Sequence, residues 1–182
     1  LTIYVAQPKP GANDQWTTDL HVTSPTPTGL IYLAGGGQLL NVGHTFVAFE
    51  KDNTDGTSVI QVMGFYPGPG LSLQPKGIIK DDSGHPYNVS YTVNVSVTNF
   101  NAALTGVVLD NGTSNYVLTN AFGSERNCTD AALSWMSNAG VGLPVASRGA
   151  FTNTPGDFGQ ALRNVSGAST ASGTAPPSHG PC

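Results

Sequence analysis

His44-Thr45-Phe46-Val47-Ala48-Phe49-Glu50, the polar turn Lys51-Asp52-Asn53-Thr54-Asp55-Gly56-Thr57, and Ser58-Val59-Ile60-Gln61-Val62-Met63-Gly64-Phe65 together decide the fold. The two flanks are rich in aromatic and β-branched residues and the segment between them is made of turn formers, which is the pattern of a β-hairpin. Pro67-Gly68-Pro69-Gly70 stops the second strand, and a loop is expected from there to about Pro86. Tyr87–Val97 alternates apolar and polar residues, predicting a half-buried strand. Leu1–Val5 reads as a short strand, Leu20-His21-Val22 as another, and Leu30–Ala34 as one broken by Gly35-Gly36-Gly37.

Helical spacing takes over downstream. Asn99–Asp110 places Phe100, Ala103, Leu104, Val107 and Val108 on one face. Cys128–Met136 aligns Cys128, Ala131, Ala132 and Trp135, with Asn127 as N-cap, Asp130 in the first turn and Gly140 as stop. Thr154–Leu162 reads as a last short helix. The expected fold is α+β: a small antiparallel sheet packed against the Cys128 helix. Residues 1–163 form one domain with an irregular N-terminal segment over 1–29, and residues 164–182 are a low-complexity Ser/Ala/Gly/Thr/Pro tail.

Of 182 residues, 38% are apolar and only 10% are charged, against a usual charged share of about a quarter. With 23 Gly and 13 Pro, the chain is rich in turns. Its seven Lys plus Arg are scattered singly and the net charge is −4. No basic stripe is available to neutralise phosphates, so nucleic acid is not an expected partner. No apolar run reaches the length of about 20 residues that a spanning helix requires, so no membrane span is expected. The scarcity of Lys beside abundant Thr, Ser, Asn and Gly suggests a secreted or exported protein. The chain opens at Leu1, so any targeting segment is expected to lie outside it. No zinc-ligand spacing occurs, Gly35-Gly36-Gly37 lacks the Lys of a phosphate loop, and no cofactor is expected.

The chemistry points to Cys128. A helix N-terminus stabilises a thiolate through its free N–H groups and the positive end of its dipole. The Cys128 amide is also a natural donor to an oxyanion forming on a substrate carbonyl. A nucleophile needs a base, and the base needs a third group to orient it. His44, opening a strand after Gly43, is the candidate base, and Gln61 on the paired strand is the candidate orienter. His85 is a rival base, although its neighbours Asp81, Asp82, Ser83 and Gly84 favour a solvated turn.

Gly43-His44-Thr45-Phe46-Val47-Ala48-Phe49, Val59-Ile60-Gln61-Val62 and Asn127-Cys128-Thr129-Asp130 together resemble the circularly permuted branch of the NlpC/P60 papain-like superfamily, over residues 41 to 163. In that branch the histidine strand precedes the cysteine helix. The resemblance implies a permuted papain-like fold with Cys128 as nucleophile, His44 as base and Gln61 as third residue. It implies amide hydrolysis through a thioester, on a peptide or a cell-wall (peptidoglycan-like) peptide. Ala131-Ala132 stand where the family often carries a larger apolar residue, and Gln61 stands where an acid or His is more usual. The competing expectation is a non-catalytic binding or structural module, with Cys128 buried as a packing residue or joined to Cys182 in a disulfide.

Overall fold

The computed structural model describes residues 1–11, 17–19, 30–32, 39–69, 75–117, 126–145, 147–148 and 151–180. In chain order the strands are β1 (Thr2–Ala6), β2 (Thr17–Asp19), β3 (Leu30–Tyr32), β4 (Leu39–Asn41), β5 (His44–Asp52), β6 (Ser58–Pro67), β7 (Gly77–Asp81), β8 (Pro86–Tyr87) and β9 (Val89–Thr92). Helices α1 (Val97–Asp110) and α2 (Cys128–Asn138) follow. The short strands β10 (Ser147–Arg148) and β11 (Phe151–Thr152), helix α3 (Pro155–Leu162) and strand β12 (Gly173–Thr174) complete the order. The fold is α+β, a five-stranded antiparallel sheet ordered β7-β6-β5-β1-β9 with the three helices packed against it.

The hairpin forms as its sequence predicts, with Phe46 opposite Gly64 and Asp52 opposite Ser58. From His44 to Phe49 every residue of β5 is buried, because the sheet is covered on both faces, and strands of that kind read as continuous apolar runs. Val47 and Phe49 face the helices, where Trp135, Met136, Phe158 and Leu162 form the main core. Phe46 and Ala48 face the other way, into a smaller cluster with Tyr4, Val62 and Ala175. The opening residues are thus less irregular than expected, since β1 is inserted between β5 and β9.

The strand expected over 87–97 is shorter. β9 ends at Thr92 because its partner β1 begins at Thr2, and Leu1 and Val93 close the ladder with reciprocal bonds of 2.9 Å. Val93 and Val95 still reach the core, so the alternation is real, but Ser96 caps α1 and turns the chain. Along α1, Ala103 and Val107 are buried as expected, whereas Val108 is 72% exposed and lies off the packed face. The expected loop before Pro86 contains β7, an edge strand too short to announce itself. Of the expected strand Leu20-His21-Val22, all three residues lie outside the described ones, as does Cys182.

The tail lies on the sheet. Ser169 pairs with Ser90, Gly173–Thr174 with Tyr87 and Pro86, and His179 with Ile60. Backbone pairing needs no particular side chain, so its composition gave no sign of it.

Candidate active site

Three elements meet at one end of the sheet. Asn127 caps α2, its side chain accepting from the Thr129 and Asp130 amides at 2.8 and 2.9 Å, and Asp130 returns a bond to the Asn127 amide. This capping box fixes where the helix starts and leaves the Cys128 amide outside the cap's own bonds. Next to Cys128, Thr129 Oγ1 lies 2.9 Å from Oγ1 of Thr45, the neighbour of His44, in a buried hydrogen bond. The helix tip and the strand end are thereby tied one residue away from each of the two groups that matter.

His44 and Cys128 are each 1% exposed, and they lie close enough for Cys128 to act on the imidazole's pKa, both by charge and as a hydrogen-bonding neighbour. The Nε2 of His44 lies 2.9 Å from Asp82 Oδ2. Because Asp82 occupies Nε2, Nδ1 is the nitrogen left to serve the thiol. Burial by itself pushes the imidazole pKa down. The charge on Cys128, the hydrogen bonds to Asp82 and Cys128, and the Asp82 charge together outweigh it and raise the pKa to about 9. The Tyr66 hydroxyl donates to the second Asp82 oxygen at 2.5 Å, and its ring lies 4.6 Å from that of His44. Burial first, then the Asp82 charge and bond, hold that phenol far above its ordinary range. Tyr116 also neighbours Cys128, and burial first, then the Cys128 charge, holds its phenol well above its ordinary range.

Glycine makes this closeness possible. A Cβ on Gly64 would strike the Asp82 carboxylate and come within 2.7 Å of His44 Nε2. Gly43 has φ +82°, and a Cβ there would strike the Ala6 carbonyl oxygen and lie 3.2 Å from Pro155. The role of Gly43 is therefore to turn the chain into β5, not to open space around the imidazole.

Of the residues expected at the site, the structure brings Cys128 and His44 together and leaves Gln61 out. Gln61 pairs with Phe49, five residues along β5 from His44 and on the helix-facing side, and its amide donates to the Gly180 carbonyl at 2.8 Å. Five residues of strand span about 17 Å, so no rotamer reaches the imidazole. Asp82 holds that place instead. The sequence reading treated Asp81 and Asp82 alike as turn residues. Asp81 is one, accepting from the Ser83 amide and hydroxyl. Asp82 is 5% exposed and turned inward. His85 is likewise no solvated loop histidine. Its ring packs 5.2 Å from His44 and 5.0 Å from Phe46. Its Nδ1 lies 2.9 Å from the Pro86 carbonyl oxygen, which only accepts, so Nδ1 carries the proton. Burial, then the His44 charge, lowers its pKa and keeps it neutral. Tyr66 and Tyr116 also went unread. Tyr66, in Gly64-Phe65-Tyr66, lies beside the expected strand end, and only the sheet register places it next to His44.

A cleft of about 380 Å³ opens beside His44, bounded by Gln7, Gly43, His85, Tyr87 and Asn88. Arg163 ties two of these residues together, donating to Gln7 Oε1 at 2.7 Å and to the Asn88 carbonyl at 2.9 Å. Cys128 carries a free thiol, so it is not in the disulfide that was an alternative. Among the described residues no three His, Cys, Asp or Glu side chains converge as metal ligands would, and no helix is long and apolar enough to cross a membrane. Set against protein-family models, curated proteins and solved structures, the chain matches none.

Proposed function

We propose that the chain is a cysteine hydrolase that cleaves an amide bond through a thioester, with Cys128 as nucleophile, His44 as base and acid, and Asp82 as the group that orients His44. The observation that carries this reading is one buried imidazole that meets a buried carboxylate at 2.9 Å and has the helix-tip Cys128 beside it. That is the nucleophile, base and orienter arrangement on which covalent catalysis depends. His44 takes the thiol proton, and the sulfur attacks the carbonyl carbon. The Cys128 amide donates to the oxyanion, and the imidazolium returns its proton to the leaving nitrogen as the C–N bond breaks. His44 then deprotonates a water that attacks the thioester, the C–S bond breaks, and Cys128 regains a proton from His44. The leaving nitrogen must lie on the His44 side, where the cleft has room for that part of the substrate. A peptide or cell-wall peptide as substrate rests on the resemblance to the permuted NlpC/P60 branch.

The test is alkylation by iodoacetamide at pH 6, read by intact mass and peptide mapping. Cys128 should be labelled faster than a thiol in the unfolded chain, and His44→Ala should abolish the difference. Labelling of native Cys128 no faster than in the unfolded chain ends the proposal. It would leave the reading that its 1% exposure favours, a non-catalytic module in which Cys128 is a packing residue. A panel of peptide and muropeptide substrates then identifies the scissile bond.

A further inference from the structure

We infer that the C-terminal strap, residues 172–179, is what holds Asp82 on His44, with Ser178 as the positioning residue; as a statement about catalysis this rests on the hydrolase reading. Asp82 follows β7, the edge strand, whose strand partner among the described residues is β6. Its own backbone contributes one bond to the Val62 carbonyl at 2.9 Å and a turn bond from the His85 amide at 2.9 Å. The carboxylate itself is held by Tyr66 and His44, but the backbone that carries it lies at a sheet edge with few bonds of its own.

The strap supplies what is missing. The Gly84 amide donates to the Ala175 carbonyl at 3.1 Å, and the Ala175 amide donates to the His85 carbonyl at 2.9 Å. Ser178 then binds three groups at once. Its amide donates to Ser83 Oγ at 2.7 Å, and its hydroxyl donates to Asp81 Oδ1 at 2.8 Å and accepts from the Val62 amide at 2.9 Å. Residues 81, 83, 84 and 85 are thus pinned on both sides of Asp82, while Val62 ties the same hydroxyl to the strand that carries Tyr66. Pro176 and Pro177, which have fixed φ and no donor, set a stiff spacing between the Ala175 and Ser178 anchors.

The strap adds little to the fold itself. Its side chains are small and mostly exposed, Ala175 alone being buried in the lesser cluster, and none of its residues belongs to the main core. Loss of its hydrogen bonds should therefore loosen Asp82 while leaving the body folded.

The experiment follows the His44 imidazole by NMR in the full chain as pH is varied. A carboxylate bonded to Nε2 favours the imidazolium, so releasing it lowers the midpoint. Ser178→Ala should move the His44 midpoint down by about one pH unit, and Ser178→Thr, which keeps the hydroxyl, should restore it. In an Asp82→Asn background Ser178→Ala should add no further shift, because both act through one bond. Ser83→Ala cuts the same attachment from the exposed side and serves if Ser178→Ala does not fold. An unchanged midpoint in the variant that folds, or a full second shift in the Asp82→Asn background, overturns the inference. The labelling rate of Cys128 in the same samples reads the hydrolase separately. A midpoint that moves without selective labelling keeps the strap and removes the catalysis.

Discussion

On the His44 ring two opposing effects act. Removal from water disfavours the cation, and Cys128 and Asp82 favour it; the neighbours prevail, and the pKa rises to about 9. The imidazolium loses its proton as pH rises through about 9; on the proposed reading it is the acid that protonates the leaving nitrogen, so hydrolysis should fall along that limb, as a pH profile of kcat/KM would record. Asp82→Asn keeps the shape and removes the charge. It should lower kcat/KM by about 10²-fold and move the same limb to lower pH, and an unmoved limb would remove Asp82 from the site. Gly64→Ala tests the close approach itself. Its Cβ has no space beside Asp82 and His44, so the variant should lose about 1–3 kcal/mol in urea denaturation together with the rapid labelling of Cys128.

Among the elements, the contact that decides the site is that between the start of β5 and the first turn of α2. The buried Thr45–Thr129 hydrogen bond is its polar component. Thr45→Val or Thr129→Val leaves the other hydroxyl buried without a partner, at a cost of about 1–3 kcal/mol. The double valine variant should cost less than the sum of the two, because no orphan remains. Chemical denaturation of the four proteins closes that cycle, and additive costs would show that the bond is not what joins the elements. The cap of α2 was legible in Asn127-Cys128-Thr129-Asp130, since capping is local chemistry within four residues. β7 was not legible, because an edge strand of five residues is selected by its partner. The missed role of Asp82 follows from the same blindness, for the end of β7 is what points it inward.

For the whole molecule, the raised His44 pKa links folding to pH. The folded-state value of about 9 exceeds the ordinary 6.5, so the stabilisation is fully present below about pH 6.5 and is lost as pH rises through about 9. The urea midpoint of the native protein should fall between pH 7 and pH 10, and that of His44→Ala should fall less; equal slopes would show that the buried imidazole is not charged. The body is held by helices α1, α2 and α3 on one face of the sheet, and the site is completed from the other face by the strap. Stability and site geometry therefore draw on different parts of the chain.

The sequence by itself determined the local features: the hairpin of residues 44–65, the capped helix at Cys128, the last helix after Thr154 and the α+β class. Each is written in periodicity or capping chemistry over a few adjacent residues. It also singled out His44 and Cys128, because a strand-opening histidine and a helix-tip cysteine carry local signatures. Only the tertiary structure decided that Asp82 and not Gln61 faces the imidazole, that His85 packs on it, and that the tail lies across the sheet. Those outcomes depend on strand register and on which face a side chain takes, and both are set by partners distant in the chain.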